Sequence, residues 1–290
     1  MSESLRAGET PEEAPGGAPV APGRPMPQPP DGPITERATA VRAPNPSPMT
    51  LDGTNTWVLA EPGSDLAVVV DPGPDDEGHL RNVLDTVASA GRRVALTLLS
   101  HHHPDHAGGA FRFAELTGAP VRALDPALRL GDDGFVQGDV ITVGGLELRV
   151  VPTPGHTADS LSFHLVADGA VLTGDTVLGR GTTIVAHPDG RLGDYLDSLR
   201  RLRALTVDDG VRTILPGHGP VLGDAQGALD YYLVHRAKRL AQVETAVENG
   251  FRTPEAVVAH VYADVDRGLW PWAELSVRAQ LDYLGEHGLL

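Results

Sequence analysis

Ser100-His-His-His-Pro-Asp-His106 places four imidazoles and a carboxylate within one short stretch, directly after the apolar run from Val94 to Leu99. Such a run reads as a buried strand, so the histidines sit at its carboxyl end. In extended chain, residues two apart point the same way. His101 and His103 can therefore share one ion while His102 points elsewhere. Pro104 then turns the chain and lets Asp105 and His106 face a second ion. Three further candidates lie in Gly- or Pro-rich turns downstream: His156 in Thr153-Pro-Gly-His-Thr157, Asp175 in Thr173-Gly-Asp-Thr176, and His218 in Pro216-Gly-His-Gly-Pro220. A surface histidine taken alone is ordinarily just a histidine. Here the spacing of Asp105 and His106, and the three ligands that follow, set the group apart. Leaving His102 aside, five imidazoles and two carboxylates suit two adjacent divalent cations. Such a pair makes hydroxide at neutral pH.

The same alternation of strand and ligand-bearing loop recurs along the chain. Residues 55–60 and 65–70 read as paired strands across Glu61-Pro-Gly-Ser64, the second ending at Asp71-Pro-Gly73. Residues 78–90 have helical spacing through Leu80, Val83, Leu84 and Val87, and Gly91 ends the helix. Residues 109–117 read as a helix closed by Gly118. Residues 146–151 alternate as a strand and lead to His156. Residues 161–166 and 170–173 form a hairpin across Asp168-Gly169 that delivers Asp175. Residues 194–205 are helical, and Thr213-Ile-Leu215 is a short strand that delivers His218. Residues 225–248 make a long helix, followed by short helical patterns at 254–263 and 273–285 around Trp270-Pro-Trp272. Mixed strands and helices in this order suggest an α/β architecture of two sheets between helices.

The chain has 290 residues and a formal net charge of −16. Residues 1–50 carry a net −2 and residues 226–290 a net −3, so most of the excess lies in the central part. A chain this acidic does not present a broad nucleic-acid face. It has no cysteine, so no thiolate ligates a metal or acts as nucleophile. That fits the cytoplasm, the expected location. The first 33 residues are rich in Pro, Gly and Ala without hydrophobic periodicity and are expected to be disordered. They lack a secretory signal pattern, and no apolar run is long enough to span a bilayer. The expected organisation is a tail at 1–33, a catalytic domain at 34–224, and a helical module at 225–290.

The ligand segments resemble, in order and spacing, the motifs of the metallo-β-lactamase superfamily. Gly53-Thr-Asn-Thr-Trp57, Asp71-Pro-Gly73, Asp105-His-Ala-Gly-Gly109, Gly174-Asp-Thr-Val-Leu-Gly179, Gly181-Thr-Thr183 and His235-Arg236 are similar to the branch containing the β-lactamase-like protein 2 hydrolases. The resemblance runs from about residue 50 to the C-terminus. It implies a four-layer αββα sandwich with a small winged-helix-like module at the end. It also implies two Zn2+ ions, with Mn2+ or Fe2+ as alternatives. His101, His103 and His156 would hold the first, and Asp105, His106 and His218 the second. Asp175 would bridge them, and Asp105 and His106 would be the catalytic pair around a bridging hydroxide. Asp71 is expected to hydrogen-bond a ligand imidazole.

The implied reaction is hydrolysis of an ester-type bond, a thioester or lactone, on a small or carrier-linked substrate. Single-strand endoribonucleases also belong to the branch, so phosphodiester hydrolysis is the alternative. A glyoxalase II-like thioesterase is a further one, set back because Gly219-Pro220 follows His218 where that branch carries an acidic residue. Arg236 and Arg239 share a helix face and are either a solvated surface or an anion clamp for the substrate. His102 is expected exposed and without a ligand role, and His164 and His187 are expected to be structural. A nucleic-acid-binding role on an inactive scaffold fits poorly. The segment 226–290 has nine acids against six bases, and no ligand is missing.

Overall fold

A computed structural model describes residues 31–131, 134–136 and 138–289. Six strands form the first sheet in chain order: β1 (Gly32–Pro33), β2 (Ala38–Arg42), β3 (Asn55–Leu59), β4 (Leu66–Val70), β5 (Arg93–Leu98) and β6 (Val121–Arg122). β1 to β4 are antiparallel neighbours, and β4, β5 and β6 run parallel. The second sheet has the order β11-β10-β9-β8-β7, from β7 (Val140–Val143), β8 (Leu146–Pro152), β9 (Leu161–Leu165), β10 (Ala170–Gly174) and β11 (Thr213–Pro216). Only β10 and β11 pair in parallel there.

The period-two alternation of the strands sorts side chains into two faces. Trp57, Leu59, Val68, Val70 and Leu98 of the first sheet meet Leu148, Phe163, Leu165, Leu172 and Leu215 of the second in one core. The opposite face of the first sheet, with Val58, Ala67 and Val69, packs on Leu80, Val83 and Val87 of α1 (Glu77–Ser89). Phe113 joins them there from a short helix that follows α2 (Pro104–Ala107), namely α3 (Ala110–Thr117). The outer face of the second sheet, with Val151, Val171 and Ile214, packs on Tyr195, Leu199 and Leu202 of α4 (Leu192–Asp208). Leu229 and Tyr232 of α5 (Ala225–Glu248) complete that layer. Helix, sheet, sheet, helix is the four-layer order expected of the chain.

α5 belongs to two cores. Its first half lies on the second sheet, whereas Val243, Ala246 and Val247 pack with α6 (Pro254–Val261) and α7 (Trp270–Glu286). Among its described residues the C-terminal module consists of helices joined by turns, without a strand. No helix among the described residues is long and apolar enough to cross a membrane.

The helices lie within a few residues of their expected limits, and α5 matches 225–248. The expected tight hairpin at Asp168-Gly169 is wider: a 3-10 turn at Val166–Asp168 precedes Gly169, which takes the left-handed conformation. The expected disordered tail falls mainly on residues 1–30, outside the described residues. Its last part is ordered, because Gly32 and Pro33 pair with Ala40 and Thr39 and Asp31 accepts a hydrogen bond from the Arg42 amide. β2 carries weight of its own, since Arg37 just before it bonds Asp168 and Glu61 and Val41 is buried. A chain starting at Asp31 should keep the melting temperature of the full chain, because it retains β1 and the Asp31 bond to the Arg42 amide. One starting at Ala43 should melt roughly 5–10 °C lower. Equal loss in both truncations, read by calorimetry, would show that the first thirty residues pack on the domain.

Candidate metal centre

The ligand loops meet because strands of both sheets deliver them to one edge. β4 leads into Asp71, β5 into Ser100 and His101, β10 into Asp175, and β11 into His218. The two sheets are stitched there. Leu161 N donates to Ser100 O at 2.8 Å, and Asn55 N donates to Gly217 O at 2.7 Å. The Asn55 amide also donates to Pro216 O and Gly219 O, at 3.1 and 2.9 Å, and Trp57 Nε1 donates to Pro216 O at 3.2 Å. Gly53-Thr-Asn-Thr-Trp57 therefore acts as a clamp on the His218 loop, a role that its place on another sheet hides from the linear sequence.

Two groups of donor atoms result. In the first, His103 Nδ1 lies 3.0 Å from His101 Nε2 and 3.1 Å from His156 Nε2. In the second, His218 Nε2 lies 3.2 Å from His106 Nε2 and 3.1 Å from Asp105 Oδ2. Two donors on one tetrahedral ion, with bonds of about 2.0–2.1 Å, lie roughly 3.3 Å apart. Asp175 stands between the groups: its Oδ2 is 3.3 Å from His218 Nε2 and 3.8 Å from His156 Nε2, and its Oδ1 is 3.3 Å from His106 Nε2. Asp175 Oδ1 is buried without a hydrogen-bond partner, a costly arrangement for a carboxylate unless a cation meets it. The donor set is nitrogen and oxygen only, which fits zinc and other borderline divalent ions.

The far side of four of the five rings, all but His103, is held. Asp71 Oδ2 accepts from His106 Nδ1 at 2.9 Å and from Ser100 Oγ at 2.6 Å, and Asp71 Oδ1 accepts from Ser100 N at 2.7 Å. Ser100 Oγ in turn accepts from His101 Nδ1 at 2.9 Å. His156 Nδ1 donates to Ile184 O at 2.7 Å, and His218 Nδ1 to Gly53 O at 3.3 Å. These bonds place the proton on Nδ1 and leave Nε2 free to ligate, whereas His103 faces the cluster through Nδ1. Sequence reasoning named Asp71 but missed Ser100, Gly53 and Ile184, two of which act through backbone carbonyls that any residue carries.

Close packing also accounts for the glycines beside the ligands. A Cβ on Gly217 would lie 2.5 Å from Asp175 Oδ1 and 2.7 Å from His106 Cε1. Gly174 has φ +46°, and a Cβ there would lie 2.6 Å from Ser100 Oγ.

The electrostatics divide the cluster. Burial holds His101 well below the usual histidine range, lowers His156, and with its neighbour His156 pushes His103 down to about 4. Burial opposes charge on His106 and His218 too, yet Asp175 and Asp71 hold His106 well above the usual range. Asp175 and Asp105 likewise lift His218 to about 9. Burial would raise Asp175, but His218 and His106 keep it well below the carboxylate range. One half thus offers neutral imidazoles, while in the other the ionised carboxylates favour a second proton on His106 and His218, one that a bound cation would displace.

His102 turns away and bonds Asp159 at 2.8 Å, so it is tied down although it faces away from the cluster. His164 is buried in β9, and His187 pairs with Asp282 at 3.1 Å. Arg236 and Arg239, read from the sequence as either a solvated surface or an anion clamp, both have partners within the protein. Arg236 is buried, donates to Thr183 O and lies over the Tyr195 ring. Arg239 donates to Val261 O and lies over Tyr262 in the C-terminal module. Their shared helix face is consumed by two different packing partners.

Residues 49–218 match the model of the metallo-beta-lactamase superfamily, and residues 253–289 match that of the beta-lactamase associated winged helix domain. The chain is 31% identical to a beta-lactamase-like protein 2 homolog of Caenorhabditis elegans, over 83% of this chain and 79% of that protein. It is 35% identical to an atrochrysone carboxyl ACP thioesterase of Aspergillus fumigatus, over 74% of this chain and 66% of that protein. A beta-lactamase domain protein from Burkholderia ambifaria has the same fold, with a TM-score of 0.75 at 23% identity, covering 89% of this chain and 88% of that one. A histidine and aspartate cluster built across two sheets, with these matches on either side of it, makes the chain a member of the metallo-beta-lactamase superfamily of hydrolases, extended by a beta-lactamase associated winged-helix domain.

Proposed function

We propose that the chain is a binuclear zinc hydrolase of thioesters or lactones on small or carrier-linked acyl groups. The observation that carries this reading is the pair of three-donor groups, at ligand-to-ligand spacing, with Asp175 between them. His101, His103 and His156 would hold one ion, and Asp105, His106 and His218 the other. When bound, the ions acidify water and polarise the acyl oxygen. The protein's own part is positional. The Asp175 carboxylate spans the two groups and sets their separation. Asp105 is the more exposed of the two carboxylates, at 27% against 11% for the Asp175 side chain. It is the group placed to accept a hydrogen bond from the attacking water and to face substrate. Asp71, through His106 directly and through Ser100 to His101, holds both halves in register.

The similarity to a carrier-protein thioesterase supports the choice of bond. Charge supports it as well. At −16 the chain repels a polyanion, and each phosphate must meet a Lys or Arg to gain from counterion release. Arg236 and Arg239 are already engaged within the protein.

Protein reconstituted with zinc and desalted should hold close to two ions per chain by elemental analysis. His103→Ala should lose the first ion, and His218→Ala should weaken the second. Zinc-loaded protein is then offered thioesters, lactones, phosphodiesters and short single-stranded RNA. Metal content near zero would remove the site, and RNA cleaved with a kcat/KM above every thioester and lactone would reverse the choice of substrate.

A further inference from the structure

We propose that Arg236 is a positioning residue for His156, acting through the strap formed by residues 183–191. The proposal rests on the metal reading above and concerns how one ligand of the first ion is held. His156 Nδ1 donates to Ile184 O at 2.7 Å, with Thr183 Oγ1 at 3.2 Å as a second acceptor. Both acceptors belong to the strap, so the ring's direction depends on where the strap lies. Among the described residues, no side chain of the neighbouring sheets accepts from His156 Nδ1.

Arg236 fixes the strap at this end. Its Nη2 donates to Thr183 O, and its guanidinium lies 5.0 Å over the Tyr195 ring. Tyr195 is fully buried and donates through its hydroxyl to Thr176 O at 2.7 Å, one residue beyond Asp175. The Arg236 perch and the Asp175 loop thus share one anchor. α5, which carries Arg236, is rooted in both the second-sheet core and the C-terminal core. The guanidinium is planar, so it can stack on the ring and donate in its own plane at once.

The far end of the strap is held from α7. His187 N donates to Leu275 O at 3.4 Å, His187 pairs with Asp282 at 3.1 Å, and Arg191 pairs with Glu286 at 2.7 Å. Arg191 N also donates to Gly155 O at 3.0 Å, directly before His156. Both ion pairs are exposed, and pairs of that kind stabilise little. Arg236, buried and aimed at the residue next to Ile184, is the decisive hold. Its Nε is buried without a partner, so the contact with Thr183 costs desolvation and is not a casual surface bond.

The test reads metal affinity by chelator competition in zinc-reconstituted full-length protein, with melting temperature beside it. The first ion is read alone in a His218→Ala background. Arg236→Met should weaken it about 10–100-fold, the usual consequence of losing a group that orients a ligand. Arg236→Lys should recover part of the loss, because it can donate to Thr183 O without stacking. Arg239→Met, whose side chain faces the C-terminal module, should leave both affinities unchanged. Where His156 is already Ala, Arg236→Met should cost the first ion nothing more, since the two changes act through one ring. Should Arg236→Met fail to fold, Arg236→Lys carries the test through a smaller loss confined to the first ion.

Full affinity of both ions in Arg236→Met and Arg236→Lys overturns the proposal, as does a loss that adds fully to that of His156→Ala. A rise in KM for anionic but not neutral esters, with affinities unchanged, also overturns it and makes the guanidinium a substrate contact. Wild-type protein that takes up no zinc would instead defeat the metal reading itself.

Discussion

Asp175→Ala should lower hydrolysis of the best ester substrate at least about 100-fold more than His102→Ala. Among the described residues Asp175 is the carboxylate whose oxygens reach atoms of both ligand groups, with His106 and His218 on one side and His156 on the other. Removing it takes away the link that sets their separation. It also leaves His106 and His218 with one fewer of the carboxylates that raise their pKa. His102 bonds Asp159 and belongs to neither donor group, so its loss removes that contact and an edge contact with the His103 ring but no ligand. The comparison is made by kcat/KM at saturating zinc, together with metal content. Equal losses in the two variants would mean that the ligand register is wrong.

The second large effect is expected at Asp71, which touches no proposed metal position. Asp71 has φ +53° and is 2% exposed, a strained and buried placement for a residue other than glycine. Its two oxygens accept from Ser100 N, Ser100 Oγ and His106 Nδ1. Asn tolerates this backbone region better than most residues. Asp71→Asn therefore changes the charge and the acceptor count while sparing the turn. It should weaken both ions about 10–100-fold, His106 losing its acceptor directly and His101 through Ser100. Asp71→Ala should do the same and also melt lower, because Ala pays the positive φ without a side-chain bond in return. Ser100→Ala should weaken the first ion more than the second, since it frees only His101. Chelator competition and calorimetry separate these outcomes. Unchanged affinity in Asp71→Asn would show that the carboxylate serves the turn alone.

Local patterns carried much of the architecture. The spacing of Leu80, Val83 and Val87 marked α1, and the apolar run before His101 marked β5, because each element's buried face is written in its own residues. Strands such as β2 and β6 were not legible in the same way. Val121 is fully buried in a strand of two residues, too short for any period to show. The hairpin at Asp168-Gly169 was read in the right place with the wrong turn. A 3-10 turn ahead of a left-handed Gly169 uses the same residues as a tighter loop.

The sequence alone pointed to the candidate ligands: His101, His103, Asp105, His106, His156, Asp175 and His218 are marked by identity, spacing and the turns around them. The resemblance also pointed to Asp71, at a strand end where the related branch carries an aspartate. The tertiary structure decided what orients those ligands. Ile184 O and Gly53 O are backbone atoms, and only the packing of one sheet edge on the other brings them to His156 and His218. It likewise decided the fate of Arg236 and Arg239. Helical spacing places them on one face, but α5 passes from the second-sheet core toward the C-terminal core along this stretch, and Leu240 packs against both. One cation is therefore turned to the strap over His156 and the other to Val261 and Tyr262. Periodicity records which face a residue shares, whereas the partner of that face is set by chain that lies far away in sequence.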